Sequence, residues 1–65
     1  MLDAGNRISR QIEDARFEDG KHIPIIRVEF YVGIHGPFVE RFVKAEYSAA
    51  ARDEKINAFA REIVS

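Results

Sequence analysis

"ARFEDGKHIPI", residues 15–25, joins the end of one element to the start of another, and it can be read in two ways. In the first, Gly20 stops a helix that runs through the residues before it, because glycine is the common residue just past a helix C-terminus. In the second, Asp19-Gly20 is a type I′ hairpin signal that pairs Arg16–Glu18 with the strand that follows. Upstream, Ile8, Ile12 and Ala15 stand at the i, i+4, i+7 spacing of a helix face, and Asp3 or Asn6 is available as a cap. Only three residues precede the turn before that spacing resumes, so the helical reading, over about residues 4–18, is preferred. Its apolar stripe is thin, and such a helix serves only as a lid on other structure, in this chain or another.

Downstream, Pro24 bars helix and biases Ile23 toward an extended backbone. "IIRVEFYV", residues 25–32, is rich in β-branched and aromatic types and alternates in character, which predicts a strand. A second strand is predicted over about 38–46. The stretch between them, "GIHGP", reads as a five-residue loop that sets Val32 opposite Phe38, Phe30 opposite Glu40, Val28 opposite Phe42 and Glu29 opposite Arg41. A loop shorter by one residue would oppose Glu29 to Glu40, and a three-residue loop would oppose Arg27 to Arg41. Both are unfavourable, although a β-bulge would change the count. Ser48 then caps "AAARDEKINAFAREIV", where Ile56, Phe59, Ala60 and Ile63 share one face, and a helix is predicted over about 49–63.

The expected fold is therefore α+β, one small domain over 1–65 in the order helix, strand, strand, helix, with the C-terminal helix packed on an antiparallel hairpin. That order is similar to the double-stranded RNA-binding domain. The family has a third strand and a lysine cluster opening its last helix, where this chain has "SAAARDEK", and no function follows from the likeness.

Sixty-five residues with no cysteine, 46% of them apolar, leave little but a small core to offset about 1.5 kcal/mol of ordering entropy per residue. Association is the remaining common way to stabilise so small a domain. The hairpin points to a surface for it: Ile25, Arg27, Tyr31, Val39, Arg41 and Val43 fall on the face opposite the main core, and half of that face is apolar. A homo-oligomer, a dimer, is the expected partner state, and another protein is an alternative occupant. If instead each helix takes one face, the monomer is complete.

The net charge is −1 and both signs are spread along the chain. This counts against nucleic-acid binding, unless folding gathers cations onto one face. The face that would serve is Arg27, Tyr31 and Arg41, with Lys44 near it; a cross-strand ionic and aromatic ladder is the preferred account of the same residues.

No residues are assigned to catalysis, to a cofactor or to a metal. His35 has no orienting carboxylate or activated nucleophile in the sequence and reads as an exposed loop residue open to contact with a partner. His22 reads as a solvated residue near the strand start. Gly33 and Gly36 join strand to strand, whereas phosphate cradles join strand to helix. Asp53 and Glu54 point about 100° apart on a helix and are read as complements to its N-terminal dipole. The N-terminus lacks the apolar core of a signal peptide and no stretch reaches membrane-spanning length, so a soluble, cytoplasmic protein is expected. The expected function is a small non-enzymatic interaction or structural module that associates with itself.

Overall fold

Asp19 and Gly20 both adopt left-handed backbone, with φ of 51° and 71°. Positive φ at both central residues is the geometry of a type I′ turn, whose twist suits two antiparallel strands. The chain therefore doubles back there, and the computed structural model, which describes residues 1–64, has a strand β1 over Asn6–Glu18 where a helix was expected. Ser65, the last residue of the expected domain range, lies outside the described residues. β1 pairs with β2, Lys21–Val32, from Glu18 opposite Lys21 to Asn6 opposite Val32.

The helix-like spacing of Ile8 and Ile12 has a different cause. The register shifts between Ile8, which opposes Phe30, and Arg10, which opposes Glu29, leaving Ser9 as an extra residue in β1. A bulge reverses the alternation of side chains, so Ile8 points to the core face and Ile12 to the other. Four residues apart, they belong to one strand and two faces.

A third strand, β3 (His35–Val43), completes an antiparallel sheet in the order β1-β2-β3. The turn from β2 holds only Gly33 and Ile34, with Gly33 at φ +59° in the first turn position that favours glycine. The expected five-residue loop is not formed. Phe30 lies opposite Phe38, Val28 opposite Glu40, Ile26 opposite Phe42 and Arg27 opposite Arg41. Between Phe30 and Val32 the strands again fall out of step, and Gly36 and Pro37 together oppose Tyr31. Glycine is required at this bulge: a β-carbon on Gly36 would sit 2.7 Å from Cδ2 of Tyr31. β3 ends at Val43, short of the expected residue 46, in a 3-10 turn over Lys44–Glu46. Because Val43 opposes Ile25, β2 has no third-strand partner at Pro24, a position where proline's missing N–H is tolerated.

The C-terminal helix forms as expected. α1 spans Ala49–Val64, and Ser48 Oγ accepts the Ala51 N–H at 3.0 Å as its N-cap. α1 covers one face of the sheet. Val28, Phe30 and Val32 from β2 are buried against Ile56 and Ala60, and Ile8, Ile26, Phe38, Phe42 and Phe59 pack around them. Phe59 meets Phe30 nearly edge-on, with centroids 5.6 Å apart, and Phe38 at 4.8 Å. Ile63, expected on this stripe, is mostly outside it.

Two polar side chains occupy the buried stripe of α1 instead, and they hold the N-terminal segment. Asn57 Oδ1 accepts the Asp3 N–H at 2.8 Å and Asn6 Nδ2–H at 3.0 Å, while Asn57 Nδ2–H donates to the Met1 carbonyl at 2.9 Å. Asp53 accepts from Arg52 Nε–H at 2.9 Å and lies 3.4 Å from the Met1 amine. It thus serves these partners rather than the helix dipole. The hydrogen bond from Arg52 is the main reason the Asp53 carboxyl is held below the usual carboxylate range. Arg52 also reaches Gln11 and Tyr47, at 3.2 Å each, tying the start of α1 to β1.

Candidate nucleic-acid interface

With one helix and one sheet, one sheet face has no helix over it. Alternation and register place on it Arg7, Arg10, Ile12, Asp14, Arg16 and Glu18 from β1, Lys21, Ile23, Ile25, Arg27, Glu29 and Tyr31 from β2, and Val39, Arg41 and Val43 from β3. Five of the seven arginines of the chain are gathered there. Six cations stand against three acids on a chain whose net charge is −1, so the negative excess lies elsewhere.

The acids on this face are already engaged. Glu29 pairs with Arg27 at 3.7 Å, Glu18 with Arg16 at 3.5 Å, and Asp14 accepts the Ala15 N–H at 2.8 Å. Among the described residues, Arg7, Arg10, Lys21 and Arg41 have no acidic partner. Arg7 lies over the Tyr31 ring, 4.4 Å from its centroid, a cation–π contact that fixes the guanidinium without neutralising it. Arg27 faces Arg41 directly across the strands, and its Nε–H is buried without an acceptor. Lys44 lies off this face, paired with Glu13 on the helix side of the sheet.

All six residues expected to form an interaction face, Ile25, Arg27, Tyr31, Val39, Arg41 and Val43, sit on the helix-free side. The opposition of Glu29 to Arg41 does not occur; Glu29 faces Val39, and the like-charged pair takes its place. Ile25, which lies between Asp14 and Val43 on the flanking strands, is buried although it faces away from α1. The contributions of Arg7, Arg10, Ile12 and Arg16 were hidden by the helical reading of residues 4–18, and Asp19-Gly20 was the signal that could have revealed them.

His35 opens β3 opposite Val32 and is exposed, beside the still more exposed Ile34 at the hairpin tip. It borders an open, mainly apolar hollow of about 440 Å³ between the tip, the N-terminal segment and the end of α1, lined by Val32, Ile34, Ala60 and Val64. The charged side chains at that hollow include Asp3 and Arg61, which pair with each other at 3.6 Å. Among the described residues no group of three or more His, Cys, Asp or Glu side chains is placed to hold a metal ion. No helix among them is long and apolar enough to cross a membrane. The chain matches no protein-family model, and neither a curated protein nor a solved structure matches it.

Proposed function

We propose that this chain is a small non-enzymatic binding module that takes nucleic acid on the helix-free face of its sheet. The observation that carries the reading is the opposition of Arg27 to Arg41. Like charges directly opposite in a sheet are destabilising, on the order of 0.2–1 kcal/mol. Here the pair stands among three further arginines and leaves a buried N–H without an acceptor. A local conflict kept on a surface is a mark of binding, and phosphate oxygens supply the negative charge that Arg7, Arg10, Lys21 and Arg41 lack on this face. The test is fluorescence anisotropy with labelled single- and double-stranded oligonucleotides at low salt. Binding that weakens steeply with salt is the expected result, and no binding to any probe would remove the proposal.

A second reading, self-association through this face, is supported by Ile25, Val39 and Val43, which leave part of it apolar. A homodimer formed face to face would bring two arginine-rich surfaces together. A concentration-independent monomer mass by light scattering would eliminate this alternative.

A further inference from the structure

We infer that the nucleic acid this face takes is B-form duplex DNA, met through the major groove; this rests on the reading proposed above. Single strands are held by stacking successive bases on several exposed aromatic rings. Among the described residues this face has one aromatic ring, Tyr31, and Arg7 lies over it. The other rings of β2 and β3, Phe30, Phe38 and Phe42, pack on the helix side. A stacking platform is therefore lacking, and what remains is an array of guanidinium groups spread over three strands.

Dimensions and chemistry then favour DNA over RNA. Three strands about 4.8 Å apart place the outer backbones about 10 Å from each other. The B-form major groove, about 12 Å wide, admits no more than two strands of backbone, so the sheet lies across its mouth and the arginine side chains enter it, whereas the A-form major groove of duplex RNA is too narrow for side chains to read. Arginine is the residue that meets guanine O6 and N7 with two parallel hydrogen bonds, and Arg10 and Arg41, on the two outer strands, have no other charged partner. Arg7 and Lys21 lie toward opposite ends of the face, where they reach phosphates on the groove walls.

The experiment compares duplex DNA, duplex RNA and single-stranded DNA of one sequence and length, binding the full chain over a salt series. Duplex DNA is expected to bind about tenfold or more tighter than the other two. The slope of log K against log salt is expected near −2, as the two phosphate contacts of Arg7 and Lys21 would give. Arg41→Gln, which removes a guanine contact, should weaken duplex binding about fivefold or more with the circular dichroism spectrum unchanged, Lys21→Gln should reduce the salt slope by about 1, and dimethyl sulfate footprinting should show guanine N7 protected. Tighter binding of RNA or single strands, or duplex binding without N7 protection, would overturn this inference and leave the polyanion reading standing. Failure of every probe would remove both.

Discussion

β2 presents its two faces to opposite circumstances. Toward α1 it offers Val28, Phe30 and Val32, buried in a core where Asn57, one of two buried polar side chains on the helix, makes three hydrogen bonds to the N-terminal segment. On the other side it offers Ile25, Arg27, Glu29 and Tyr31, where a guanidinium N–H is buried without an acceptor and two arginines face each other. The same twelve residues satisfy every rule of packing on one side and break two on the other. The difference teaches that the helix-covered face holds most of the core, while the other face carries the unresolved conflicts on which the proposed binding rests.

The largest effect should come from the covered face. Phe30→Ala removes a fully buried ring from between Phe38 and Phe59 and should destabilise by about 3–5 kcal/mol, enough to unfold much of so small a chain in a urea titration. Ile25→Ala sharpens the contrast. Ile25 is buried on the helix-free face, and its truncation should cost about 2–3 kcal/mol, measurably less than Phe30→Ala by the same titration. An equal loss would mean that the two faces are both cores. Asn57→Ala leaves the Met1 carbonyl, the Asp3 N–H and the Asn6 side-chain amide without their partner and should cost about 1–3 kcal/mol, with faster backbone amide exchange at Asp3.

The acid limb of stability tests the neighbouring Asp53. Its carboxyl is depressed in the folded state, chiefly by the Arg52 hydrogen bond, so the folded chain holds its proton less tightly than the unfolded one. The stabilisation is present above the ordinary carboxylate pKa and fades as pH falls through the lower folded value. Urea midpoints followed from about pH 5 to about pH 2 should therefore drop less steeply in Asp53→Asn than in the parent. Smallest, and opposite in sign, Arg41→Gln should stabilise the free protein by a few tenths of a kcal/mol by relieving Arg27. A loss of stability instead would show that the arginine pair is not in conflict.

The α+β class and the C-terminal helix were legible because propensity, cap and periodicity agree over Ala49–Val64. The N-terminal element was not, because Ile8, Ile12 and Ala15 fall at helical spacing while the bulge at Ser9 puts Ile8 and Ile12 on opposite faces and breaks the alternation that would mark a strand. Only the local chemistry of Asp19-Gly20 held the correct signal. The hairpin register lies two residues from the one that charge pairing predicts: Arg27 opposes Arg41, and the same register sets Phe30 opposite Phe38, with rings 5.7 Å apart. An even shift leaves every side chain on its own face, so the membership of the helix-free surface was readable even though its partners were not. The buried roles of Asp53 and Asn57 left no trace in hydrophobic periodicity, since both are polar residues on the core stripe.

The Asn57 clamp ties the first residues of the chain to nearly the last, across 54 and 56 positions. During synthesis the two hairpins emerge first and can pair within microseconds, but a sheet with one bare apolar face is at best marginal on its own. Ile56 and Asn57 follow both hairpins in the order of synthesis. Until Asn57 is made, the Met1 carbonyl and the Asp3 N–H lack the partner that holds them in the finished fold.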